Sequence, residues 1–142
     1  MSGSRLAPQP PERASRPTPE QMVEEIAELA ADRKAIDIVA LDLRGMIGYA
    51  DYFVICSGRS DRQTRAIHDA IHAGMKARHG LLPRRVEGLA GGQWILMDYL
   101  DVVVHVFMPD TRSFYRLEQL WGEAPARSLE PPEPAGDQPA DA

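Results

Sequence analysis

Asp98 and Asp101 stand three apart, with two residues between them, amid apolar runs in the stretch GGQWILMDYLDVVVHVFMPD, residues 91–110. Paired carboxylates can hold a divalent metal for nucleotidyl transfer. The turn Ser57-Gly58-Arg59-Ser60 between an expected strand and an expected helix has residues that can cradle a phosphate. Together they spell out one chemistry, a metal-dependent nucleotidyltransferase using Asp98 and Asp101. An Asp-x-x-Asp at a hairpin tip is, however, ordinary turn chemistry. A metal site also needs several oxygen ligands, and no second acidic cluster lies on a neighbouring strand, where Asp37 and Asp42 are the only nearby options.

Two other spacings invite the same test. His68-Asp69-Ala70-Ile71-His72 places two imidazoles four apart on a helix, as zinc hydrolases do. The aspartate between them is too short for the usual glutamate base, no third ligand is evident, and both histidines read as solvated beside an apolar stripe. Cys56 ends an apolar strand before a helix start, where a thiol pKa can fall. No histidine is placed to orient it, so it reads as a small buried hydrophobe. The residues therefore carry no complete catalytic set and no metal site, and no cofactor is expected. Trp94 is different, because tryptophan is as much an interface anchor as a core residue.

These residues must be positioned by regular elements. Thr18-Pro19-Glu20-Gln21 opens a helix, with Thr18 as cap, Pro19 at its first position and Gln21 completing a capping box. Met22, Ile26, Leu29 and Ala30 recur at helical spacing to about Arg33. Ile36 to Leu43 reads as a strand, and Tyr52 to Cys56 as a strand buried on both faces. Ser60 with Gln63 forms a second capping box, opening a helix to about His79 that Gly80 stops. Val86 lies in a short strand, and Gln93–Tyr99 with Val102–Met108 forms a hairpin. A last helix over Thr111–Trp121 places Phe114, Leu117 and Trp121 on one face. The order α-β-β-α-β-β-β-α predicts an α/β fold, a mixed five-stranded sheet flanked by helices.

If Tyr99 and Leu100 form the turn, Asp98 pairs with Asp101, Leu96 with Val103 and Trp94 with His105. One face then holds Ile95, Met97, Val102, Val104 and Val106, and belongs to the core. The other holds Trp94, Leu96, Val103, His105 and Phe107 with acids at one end, and needs a cover from its own chain or a partner. Leu100 would have to accept a left-handed conformation, at a cost of roughly 1 kcal/mol.

Composition sets the outer bounds. Residues 1–19 and 125–142 each hold five prolines and no apolar period, so residues 1–18 and 125–142 read as disordered tails around one domain over 19–124. The formal net charge of -5 argues against general nucleic-acid binding and leaves a basic protein as an apt partner. A single cysteine fits a reducing compartment. No run approaches the roughly 18 apolar residues of a membrane span, and no signal-peptide core opens the chain. A cytoplasmic protein is the expectation.

Five ordered blocks, VALDLRG, DYFVICSGRSDRQTRAI, VEG, WILMDYLDVVVHVF and FYRLEQLW, resemble the ribosomal silencing factor family, also called Iojap-related. The resemblance runs from about residue 20 to residue 124. It implies a nucleotidyltransferase-like topology without the catalytic acids, and a translational repressor rather than an enzyme. Members dock on the large ribosomal subunit through ribosomal protein L-fourteen. There they block joining of the small subunit and lower translation when nutrients are short. Carried over by position, the docking surface would include Trp94, Met97, Asp98, Tyr99, Leu100 and Asp101, with Arg112 and Tyr115 from the last helix. Leu100 departs from the glycine usual at this point of the family. The resemblance also implies homodimers, in which a second copy would cover the same apolar face.

Overall fold

The computed structural model describes residues 16–46, 50–116, 122 and 124–129. Its elements are α1 (Pro19–Asp32), β1 (Ile36–Asp42), β2 (Tyr52–Ser57), α2 (Asp61–His79), β3 (Arg85–Glu87), β4 (Trp94–Asp98), β5 (Val102–Phe107), α3 (Pro109–Tyr115) and β6 (Ala126–Ser128). Among the described residues the strands form one mixed sheet in the order β3-β4-β5-β2-β1-β6. Only β2 and β5 run parallel, from Tyr52 beside Val102 to Ser57 beside Phe107. Every residue of both strands is buried, as their near-continuous apolar runs require at the centre of a sheet covered on both faces.

The expected α/β architecture holds, with six strands in place of five. The addition is β6, which lies within 125–142, the stretch read from its prolines as a tail. Its three residues are all exposed, so no apolar pattern marks them. Backbone bonding to the edge of β1 holds them: Asp42 N–H donates to the Pro125 carbonyl (2.9 Å) and Leu129 N–H to the Ile38 carbonyl (2.8 Å). The folded unit therefore continues past residue 124.

Helices α1 and α2 pack on one face of the sheet. Ile26 and Ala30 of α1, Ile67, Ile71 and Met75 of α2, and Ile95, Met97, Val104 and Val106 of the hairpin share that core. A smaller core on the other face gathers Leu41, Leu43, Phe53, Ile55, Val103, Phe107 and Ala124. The capping box of α1 forms as expected: Gln21 N–H donates to Thr18 Oγ1 (3.1 Å), and Thr18 N–H to Gln21 Oε1 (2.8 Å). At α2, Ser60 accepts from Gln63 N–H (3.1 Å). The Gln63 amide, however, reaches past its cap. Its Oε1 accepts from Arg59 N–H (2.7 Å), while Nε2 donates to the carbonyls of Arg33 (3.1 Å) and Lys34 (3.0 Å). One side chain thus clasps the end of α1 to the start of α2. Gly80 ends α2 at φ 66°, a left-handed cap that favours glycine.

Three expectations are corrected here. His68 is buried, not solvated, and its Nδ1 lies 2.9 Å from Asp69 Oδ1. Helix α3 starts at Pro109 and ends at Tyr115 in place of the expected Thr111–Trp121, and Phe114 is 78 % exposed. Leu117 and Trp121 lie outside the described residues. The hairpin, finally, turns at Leu100-Asp101. Asp98 pairs with Val103, Leu96 with His105 and Trp94 with Phe107, two residues away from the expected register. An even shift leaves each side chain on its own face, so the division into a core face and a mixed face stands.

Candidate functional site

The hairpin tip is built from its backbone outward. Tyr99 N–H donates to the Val102 carbonyl (2.9 Å), and Asp101 N–H folds back onto the Tyr99 carbonyl (3.0 Å). That closes a three-residue γ-turn centred on Leu100 at φ 81°, a strained conformation for leucine. Asp98 holds it. Its Oδ1 accepts from Leu100 N–H (2.8 Å) and its Oδ2 from Arg84 Nε (3.1 Å), with Arg85 Nη2 at 3.7 Å. The carboxylate is buried, while Leu100 at the apex is half exposed. The Asp101 carbonyl accepts from both Asp51 and Tyr52 N–H, tying the tip to β2.

Asp98 and Asp101 therefore sit at one end of the strands, and Ser57 at the other. Five residue steps along the parallel pair separate them, about 16 Å at the rise of a strand. The acid pair and the phosphate-cradling turn cannot act on one substrate, which removes the geometric basis for nucleotidyl transfer. Cys56 is fully buried, and burial pushes its thiol up to about 12 despite the nearby charge of Arg112. It is not a thiolate at neutral pH. The rings of His68 and His72 lie 5.6 Å apart. Among the described residues no group of three or more His, Cys, Asp and Glu side chains gathers at metal-binding distance.

The other end of the hairpin is aromatic. Trp94 opens β4, half-buried, with its ring 4.9 Å from Phe107 and 4.9 Å from Tyr115 of α3. Its Nε1 donates to His105 Nδ1 (3.0 Å), which leaves the imidazole proton on Nε2. Burial depresses the His105 pKa to about 3, so the ring stays a neutral acceptor for the indole. Tyr115 is half exposed, and Phe114 meets it edge-on at 5.0 Å. Trp94, Phe114 and Tyr115 thus form an accessible aromatic patch over a buried polar anchor. Phe114 was missed because its helical spacing to Leu117 and Trp121 mimics a core stripe.

The expected docking residues divide accordingly. Trp94 and Tyr115 are brought together, and Leu100 and Asp101 lie at the tip, about 13 Å away along β4. Met97 is wholly buried in the main core and Tyr99 nearly so, with no partner for its hydroxyl among the described residues. Burial raises the Tyr99 pKa far above its usual range. Neither Met97 nor Tyr99 offers a side chain to a partner; both hold the strand. Arg112 turns away from the patch, donating through Nη1 to the buried Ser57 hydroxyl (2.8 Å). It lines a cleft of about 670 Å³ with Asp37, Ser57, Ser113 and Arg116, beyond the ends of the parallel strands.

Fold and patch together define a small α/β protein whose notable surface is an exposed aromatic cluster. The family model described as "Ribosomal silencing factor during starvation" matches residues 16–142. The chain is 46 % identical over 99 residues to ribosomal silencing factor RsfS of Bacillus subtilis, covering 70 % of this chain and 83 % of that one. It is 33 % identical over 104 residues to a mouse protein named "Mitochondrial assembly of ribosomal large subunit protein 1", covering 70 % of this chain and 44 % of that one. A crystal structure of a Chromobacterium violaceum protein superposes with a TM-score of 0.68 at 32 % identity, covering 81 % of this chain and 91 % of that one. The chain belongs to the ribosomal silencing factor family, whose members are regulatory proteins and not enzymes.

Proposed function

We propose that this chain binds the large ribosomal subunit through ribosomal protein L-fourteen and sterically blocks joining of the small subunit, lowering translation under nutrient limitation. The reading rests on family membership, and one observation on this chain carries it: the accessible cluster of Trp94, Phe114 and Tyr115. Tryptophan and tyrosine are favoured interface anchors, since they bury large area at low entropic cost. Leu100 and Asp101 form the outer part of the docking surface. Asp98, Met97 and Tyr99 act by holding the strand that presents it. The formal net charge of -5 suits encounter with a basic ribosomal protein. Among the described residues no helix is long and apolar enough to cross a membrane, which accords with action in the cytoplasm.

Co-sedimentation with purified large subunits, followed by addition of small subunits, tests the proposal. The wild-type chain pellets with large subunits and reduces the fraction that joins. Tyr115→Ala with Phe114→Ala weakens binding about 30-fold or more, the effect of losing a central aromatic anchor, and restores joining. Phe114 is largely exposed and Tyr115 half exposed, so the fold survives. Unchanged affinity in that variant would remove the aromatic patch from the interface. A second copy of the chain on the same patch would compete with the subunit, and a cross-linked dimer that bound subunits equally well would exclude that arrangement.

A further inference from the structure

Among the described residues the cations include a paired set and an unpaired cluster, while Arg16, Lys76 and Arg116 stand elsewhere in the chain. Arg44, Arg65, Arg78, Arg84, Arg85 and Arg127 each form an ion pair with a carboxylate. Arg33, Lys34, Arg59 and Arg62 are all exposed, and among the described residues none of them makes one. The four are brought to a single place. Arg33 and Lys34 follow the last turn of α1, Arg59 and Arg62 flank the start of α2, and the Gln63 amide joins the two turns by bonding Arg33, Lys34 and Arg59 main-chain atoms.

Internal stability explains half of this arrangement. A cation after the end of a helix offsets the negative end of its dipole, which suits Arg33 and Lys34 at α1. Arg59 and Arg62 are on the wrong end. They stand at the positive terminus of α2, where a cation is unfavourable, and among the described residues no carboxylate pairs with them. Asp61 lies between them but is engaged by Arg65 (3.4 Å). Four unneutralised cations therefore persist on a chain with a formal net charge of -5, two of them against the local field. The fold gains nothing from Arg59 and Arg62, which leaves them available to an external counter-charge.

We propose that this basic end, Arg33, Lys34, Arg59 and Arg62, contacts the phosphate backbone of ribosomal RNA beside the protein-docking patch. Guanidinium groups match phosphate geometry, and exposed cations lose less on binding it than buried ones. The patch contains no aromatic side chain on which a base could stack, so recognition is of backbone charge and carries no sequence preference. Its position fits a second contact in one docked pose. Ser57 precedes the Arg59 turn and pairs with Phe107, whose neighbour Trp94 opens the aromatic patch. The proposal rests on the ribosome-docking reading and adds to it a salt-dependent component that an aromatic interface lacks.

The test is the salt dependence of affinity for purified large subunits, using the full chain between about 50 and 200 mM monovalent salt. Each phosphate contact contributes about 0.9 to the slope of log affinity against log salt. Arg59→Ala with Arg62→Ala lowers that slope by about 2 and weakens binding at least tenfold at the lowest salt. Arg127→Ala, an exposed arginine paired to Glu24 at 2.8 Å, changes net charge without touching the patch and leaves the slope as it was. An unaltered slope in the double variant overturns the proposal, as does an equal drop in the Arg127 control, which reports net charge alone. The two readings fail separately. Loss of the slope effect leaves aromatic docking intact, whereas unchanged affinity in Tyr115→Ala with Phe114→Ala removes aromatic docking and leaves the slope to decide the RNA contact. A wild-type chain that ignores large subunits sinks both.

Discussion

The two ends of the β4–β5 hairpin dispose their polar and apolar groups in opposite ways. At the tip, polar groups are turned inward: Asp98 is buried and occupied by the Leu100 amide and the Arg84 guanidinium. At the far end, one polar group is buried and aromatic surface is turned outward, with His105 anchoring Trp94 while Phe114 and Tyr115 face solvent. A buried, satisfied carboxylate shapes a fold, because removing it strands its partners. An exposed aromatic on a rigid support gives little to the fold and much to a partner. Asp98, the acid that looked most like chemistry, is thus structural, and the least polar corner is where docking is best supported.

The largest effect that tests this contrast belongs to Asp98→Ala. It removes two hydrogen bonds to a charged acceptor and frees a strained turn, and is expected to cost about 2 kcal/mol of folding stability. Urea denaturation measures it as a lower midpoint at constant slope. At temperatures where the variant is fully folded, its affinity for large subunits should fall no more than about twofold. A variant as stable as wild type that has lost binding would place the carboxylate in the interface and collapse the distinction between the ends.

At the aromatic end the sharper probe is pH. His105 binds its proton only near pH 3 in the folded chain, against about 6.5 when unfolded. Above the unfolded value both states are neutral at this ring and its contribution is complete. As pH falls from about 6.5 toward 3, the unfolded state takes up a proton that the folded state refuses, and stability drops by up to about 1.4 kcal/mol per pH unit. His105→Gln should flatten that acid limb by one proton relative to wild type, read from unfolding free energies between pH 4 and pH 7. Identical limbs would mean that the imidazole is not held neutral beneath Trp94.

Much of this was legible in the residues. Both helix starts, the doubly buried β2 and the partition of hairpin faces follow from caps and alternation, which are local. The register was not, since shifting the turn from Tyr99-Leu100 to Leu100-Asp101 moves pairing by two and leaves the face pattern unchanged. What decides it is the Asp98 carboxylate capturing the Leu100 amide, a bond invisible to periodicity. Strand β6 was illegible because exposed Ala126, Arg127 and Ser128 carry no apolar pattern and are held by main-chain bonds and one surface ion pair, Arg127 to Glu24. His68 looked solvated because its place beside the apolar stripe gave no hint that the surrounding packing would close over it. Net charge concealed the most: -5 over the whole chain hides an end where four cations stand unpaired.

The smallest effect concerns Leu100, where the two ends make competing demands. Its φ of 81° costs a leucine roughly 1 kcal/mol that glycine avoids. Glycine in turn enlarges the unfolded ensemble, at a cost of about 0.4–1 kcal/mol. Leu100→Gly should therefore raise folding stability by less than about 1 kcal/mol, a shift of a few degrees in Tm. Retaining leucine on a turn that strains it makes sense if the half-exposed side chain contributes at the margin of the docked surface. Affinity for large subunits should then fall about threefold, well short of the loss from Tyr115→Ala with Phe114→Ala. An equal loss would move the centre of the interface to the tip. No loss would leave the strained leucine without a role in binding, and confine docking to the aromatic end.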